Sequence, residues 1–142
     1  MNISRIDIYD YIKGLFAGQA NPIFKNVYYG EIPQTITDSD KNNGFIVIRL
    51  GALNDNSDFY LSTYCTIRGY IECYIPLYQG KMNTTKYKLV QNALDLIIKG
   101  EGEKVNAQYN INTDSVLSTE GYFNNNNNTF FAYIASFQIT IT

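Results

Sequence analysis

Five groups of side chains in this chain could carry chemistry. Glu31 and Glu72 are the carboxylates placed to act as an acid–base couple, Glu31 after a glycine in a turn and Glu72 among tyrosines. A pair of that kind works only across a cleft, and a sequence cannot make two such distant positions converge. The alternative is that Glu72 pairs with Lys or Arg on a neighbouring strand or chain. Asp38, Asp40 and Asn42 carry the opening spacing of a calcium loop, and Asn54, Asn56 and Asp58 repeat it. Both matches then fail: Arg49 and Cys65 stand where the closing bidentate acid belongs. These positions read as solvated loops, and no metal or cofactor is expected.

Cys65 and Cys73 lie eight positions apart in what reads as one strand, about 26 Å end to end. A disulfide needs Cα atoms within about 7 Å, so both are expected as buried, unreactive thiols on an apolar face. With no histidine in 142 residues, Ser-His-Asp and Cys-His catalysis is excluded, along with the commonest metal ligand. The chain is expected not to be an enzyme.

The remaining group is a tyrosine row. From Tyr60 to Tyr78 every second residue is apolar or small (Leu61, Cys65, Ile67, Gly69, Ile71, Cys73, Ile75, Leu77). The alternate set holds Tyr60, Tyr64, Arg68, Tyr70, Glu72, Tyr74 and Tyr78. Period two over this length defines a long strand with one aliphatic face and one tyrosine-and-charge face, bent at Gly69. The second face could stack bases or sugars, but base platforms also carry a basic groove, and only Arg68 is basic here. Protein interfaces favour Tyr and Arg. Burial against a partner and burial under the same chain both remain open.

The elements around this strand follow from local signals. Ser4, with Asp7 three residues on, makes a capping box, and Ile8, Ile12, Leu15 and Phe16 form one stripe, so a helix is expected over 5–17. Val27 to Pro33 reads as a short strand and turn, Thr35 to Gly44 as a loop, and Phe45 to Leu50 as a buried strand. Gly51 to Asp58 is a second polar loop. Asn83 or Thr84 caps a helix to about Ile98, with Tyr87, Val90, Leu94 and Ile97 inward. Ala107 to Thr113 is a weaker strand. After five consecutive asparagines at 124–128, Thr129 to Ile141 alternates strictly. The expectation is one α+β domain over 1–142, with an antiparallel or mixed sheet of about 4–5 strands and two helices packed on one face.

The net charge is −2, which argues against a protein whose main task is gripping phosphate backbones. The N-terminal residues lack the apolar run of a signal peptide, and no stretch is long enough to span a membrane. The wealth of Asn, Ile, Tyr and Lys, all with A- and T-rich codons, points to an AT-rich bacterial or viral genome.

This order of elements resembles the tail-completion, or tail-terminator, proteins of tailed bacteriophages. The likeness runs through the N-terminal helix, the turn Tyr28-Tyr29-Gly30-Glu31-Ile32-Pro33, the buried strand Gly44 to Leu50, the long strand Ile67 to Leu77, the helix Thr84 to Ile98 and the closing strand Phe130 to Ile141. The chain departs from the usual form in its insertion at Gly51 to Asp58 and its Asn124 to Asn128 run. The resemblance implies a structural virion protein, made in the bacterial host cytoplasm. It would form a six- or twelve-fold homo-oligomeric ring that joins head connector to tail. Its partners would be itself and other neck or tail proteins, with genomic DNA only as passing cargo and no membrane. The tyrosine-face residues from Tyr60 to Tyr78 would then be a subunit interface, and the loops bearing Asp38, Asp40, Asp55 and Asp58 would face the lumen or an adjacent ring. Rival readings are a non-viral interaction module, such as a pilus, secretion or plasmid adaptor subunit, and a small carbohydrate- or nucleotide-binding domain.

Overall fold

A computed structural model describes residues 5–17, 24, 26–55, 65–95, 109–112, 118–125 and 128–141. In chain order these form α1 (Arg5–Ala17), β1 (Val27–Tyr29), α2 (Asp38–Asn43), β2 (Phe45–Asp55), β3 (Cys65–Pro76), α3 (Thr84–Asp95), β4 (Tyr109–Asn112), β5 (Ser118–Asn125) and β6 (Asn128–Ile141). The fold is α+β, built on one mixed sheet. Its order is β1-β2-β3-β6, with β4 and β5 lying end to end along the far edge of β6. β1 runs parallel to β2, and the other pairings are antiparallel.

Three expectations need correction. The stretch Thr35 to Gly44 is not all loop, because α2 occupies Asp38–Asn43. β2 continues past Leu50 to Asp55, inside the expected loop. β5 is a strand that sequence reading did not find. The β2–β3 register shifts between Leu50 and Leu53, opposite Gly69 and Ile67. The carbonyls freed by this bulge are used: the Arg5 guanidinium donates to Leu50 O at 2.7 Å and Gly51 O at 2.8 Å, tying α1 to β2.

Alternation sorts the side chains onto two faces. On the first, Ile46, Ile48, Ile67, Ile71, Cys73, Ile75, Tyr133 and Ala135 form one buried cluster with Ile8 and Ile12 of α1 and Val90 and Leu94 of α3. Each fully buried aliphatic side chain contributes about 1.5–3 kcal/mol. The expected stripes of both helices supply these residues, apart from Leu15, Phe16 and Ile97, whose side chains lie outside the described set. α3 starts where the Asn83 side chain accepts from Lys86 N at 3.1 Å.

The second face is aromatic. Phe45 stacks on Tyr74 at 4.8 Å and meets Phe130 edge-on at 5.4 Å. Val47, Ala132 and Ile36 complete that cluster, with Tyr28, Ile32 and Phe123 at its rim. Ile32 and Ile36 belong to the connection between β1 and α2, so this segment roofs one half of the face. α2 closes the same side: its Asp40 receives the Tyr28 hydroxyl at 2.5 Å.

Candidate interaction surface

β3 carries the tyrosine row, and its register decides which members reach the surface. On the second face, Tyr74 lies opposite Ala132, Glu72 opposite Ile134, Tyr70 opposite Ser136 and Arg68 opposite Gln138. On the other side Arg49 of β2 lies opposite Tyr70. The roofed half of the face ends at Glu72. Beyond it Arg68 is exposed, Tyr70 is 49% exposed and Arg49 is half-buried.

The candidates therefore separate. Tyr74 is 3% exposed and Glu72 is 7% exposed, so neither side chain is available to a partner, and both leave the proposed subunit interface. The reason is a network inside the chain. Arg49 Nε donates to Glu72 Oε2, and the Tyr74 hydroxyl donates to Glu72 Oε1 at 2.5 Å. Arg49 Nη1 also donates to Gly30 O at 3.0 Å, fastening the Gly30-Glu31-Ile32-Pro33 turn to the sheet. Glu72 thus pairs with an arginine on a neighbouring strand, one of the alternatives its position allowed, and both of its oxygens accept hydrogen bonds within the chain. Glu31 is exposed and is not joined to it. Tyr78 is 62% exposed but sits past the end of β3, in the turn bridged by Tyr78 and Lys81. Tyr60 and Tyr64 lie outside the described residues.

The acidic loop candidates also divide. Asp40 is fully buried and cannot face a lumen. It accepts from Asn26 Nδ2 at 2.7 Å and from Tyr28, while its own N–H donates to Thr37 Oγ1, the cap of α2. Asp38 is exposed, with Lys41 at 3.9 Å. Because the two aspartates sit on a helix and diverge, they cannot ligate one ion. Asp55 ends β2, with its side chain outside the description, and Asp58 lies outside altogether. Cys73 is buried, and burial pushes its thiol well above the ordinary range, followed by the effect of the Glu72 charge. Cys65 lies on the same continuous strand, its side chain outside the description.

Sequence reading missed Arg49 as a surface group, weighing it only as a failed calcium ligand. Its alternation with Phe45 and Val47 does place it on the second face. A hollow of about 390 Å³ against α3 is lined by Thr84, Thr85, Tyr87, Lys88 and Gln91, and none of the acid or thiol candidates reaches it.

Among the described residues, the hydroxyls of Tyr28, Tyr29, Tyr74 and Tyr87 donate to carboxylates. Burial first, then the hydrogen bond and charge of the carboxylate, raises Tyr28 beside Asp40 and Tyr29 beside Asp10 to about 12. Tyr74 beside Glu72 and Tyr87 beside Glu120 are raised for the same reasons. A group whose folded pKa lies above its unfolded value stabilises fully below the unfolded value and loses that contribution as pH climbs toward the folded one. Stability should therefore hold up to about pH 10 and fall between pH 10 and 12. Tyrosinate absorbance should show a late fraction that titrates together with unfolding. Uniform titration of all tyrosines near 10, with the fold intact, would contradict these pairings.

Among the described residues, no helix is long and apolar enough to cross a membrane. Compared with known proteins, the chain matches no family model and no curated sequence.

Proposed function

We propose that this chain is a structural subunit of a bacteriophage neck or tail ring, joining the head connector to the tail, and that it performs no catalysis. The observation that carries the reading is the unroofed half of the second sheet face. There Arg68 and Tyr70 stand exposed on β3, inside a sheet whose opposite face is filled by the Ile8, Ile12, Val90 and Leu94 cluster. Arg and Tyr are the residue types that interfaces concentrate. The order of elements in the phage tail-terminator resemblance supports the same reading. The carbohydrate-binding alternative loses support, because Tyr74 and Glu72 are occupied inside the chain.

The test is light scattering over a concentration series with negative-stain imaging. Closed rings with six or twelve subunits are expected. The double variant Arg68→Ala/Tyr70→Ala should assemble less while keeping its melting temperature. A chain that stays monomeric at every concentration, and whose gene lies away from portal, capsid and tape-measure genes, would overturn the reading.

A further inference from the structure

β5 is hydrogen-bonded to β6 along one edge, and among the described residues no strand pairs with its other edge. Free edges template pairing with other chains, and proteins blunt them with shortness, lysine, proline or bulges. The opposite edge of the sheet follows that rule, since β1 has only three residues. β5 does not. It runs eight residues, Ser-Thr-Glu-Gly-Tyr-Phe-Asn-Asn, with Glu120 as its one charge and no lysine or proline. Its register with β6 is unbroken from Ser118 to Asn125. Glu120, Gly121, Tyr122 and Asn124 are exposed, Tyr122 at 67%.

We infer that a second copy of this chain pairs with this edge, β5 against β5 and antiparallel, about a two-fold axis at Tyr122. An axis normal to the sheet keeps the two faces matched, so it must pass through a residue rather than between two. Centring on Gly121 would leave the two Glu120 carboxylates diagonal neighbours, about 7–8 Å apart, and their like charges would repel. Centring on Tyr122 moves them roughly 13 Å apart along the strands and sets each Glu120 opposite the partner's Asn124. The Asn124 amide can donate to Oε1, the oxygen that Tyr87 leaves unused. The same register sets the partner's Phe123, which packs on its own Tyr74 at 4.9 Å, opposite Gly121, where the absence of a side chain leaves that pair free of clash. The two Tyr122 side chains meet at the axis.

This contact goes beyond the ring reading. It is isologous and closes at two copies, whereas ring contacts are head-to-tail, so both together would join two rings into a pair.

Tyr122→Lys and Tyr122→Glu place like charges directly opposite at the axis. In sedimentation velocity on the full chain, each variant alone should show half the wild-type mass, or half the ring-pair mass if rings form. An equimolar mixture should restore the paired species. Asn124→Glu, which opposes Glu120 without touching Tyr122, should weaken pairing about tenfold, and circular dichroism should report unchanged folds. Pairing that survives in either Tyr122 variant alone, a mixture that fails to pair, or a wild-type chain without a two-fold species at about 1 mM would each overturn the inference. Rings that persist while the charge swap has no effect would sink the pairing and leave the ring reading standing. A charge-dependent dimer without rings would do the reverse.

Discussion

Replacing Arg49 with methionine should cost the fold about 3 kcal/mol, whereas replacing Glu72 with glutamine should cost about 1 kcal/mol. The asymmetry comes from which partner can find water when the other is removed. Glu72 is 7% exposed. Without Arg49 its carboxylate keeps, among the described residues, the Tyr74 hydroxyl, and a buried charge stripped of its counter-ion is among the costliest local defects. The Arg49 side chain is 38% exposed, so it can rehydrate once Glu72 is neutral. Glutamine also preserves shape and an acceptor for Tyr74. Removing Arg49 further frees the carbonyl of Gly30, loosening the turn that leads into the Ile32 and Ile36 roof. The double variant should cost less than the sum of the singles, because it leaves no orphaned charge. Urea midpoints of the three variants check this. Equal single-variant losses would mean that water reaches Glu72.

Gly44→Ala should have the larger effect, about 4 kcal/mol or more, enough to abolish soluble folded protein. Gly44 links α2 to β2 at φ +82° and ψ −179°, an extended conformation of positive φ that is essentially reserved for glycine and costs other residues about 1–3 kcal/mol. An added Cβ would also lie 2.3 Å from the Tyr74 carbonyl oxygen and 2.8 Å from the Phe24 ring. The carbonyl belongs to β3, in the middle of the sheet, and cannot retreat without breaking ladder hydrogen bonds. Gly80 provides the control. It sits at φ +74° in the turn between Tyr78 and Lys81, with nothing within 4 Å of its Cβ position. Gly80→Ala should therefore lose only the conformational part, about 1 kcal/mol. If both variants melt alike, the close approach at Gly44 is wrong.

The sequence was most legible where periodicity was strong. Ile8 and Ile12, Val90 and Leu94, and the alternation through Ile67, Ile71 and Ile75 placed α1, α3 and β3, because each pattern reports which face must leave water. β5 gave no such signal. Gly121 and the flanking asparagines are disfavoured in strands, and what holds the strand is its pairing with β6, where Tyr122 meets Phe131 at 5.3 Å. α2, Asp-Ser-Asp-Lys-Asn-Asn, is built from poor helix formers. Its stability comes from the Thr37 cap and from the bonds of Asp40 to Asn26, just before β1, and to Tyr28 within it.

The same limit governed the candidate surface. Alternation assigned Arg68, Tyr70, Glu72 and Tyr74 to one face, but it carries no information on what covers a face. The cover over Tyr74 comes from Ile36, in a segment whose polarity reads as loop. Asp40 was misplaced for a related reason: an acid in a polar stretch reads as solvated until its hydrogen-bond partners are known.

Strand β6 sits between β3 on one side and β4 with β5 on the other, yet it follows all of them in the chain. During synthesis at about 5–20 residues per second, β3 must therefore wait some seconds with the backbone groups of one edge unpaired. Strands β1 to β3 can pair in chain order as they leave the ribosome, but the half of the sheet beyond them cannot. Completion of this sheet waits for the last strand, and the open edge of β3 is where a holding chaperone would be most needed.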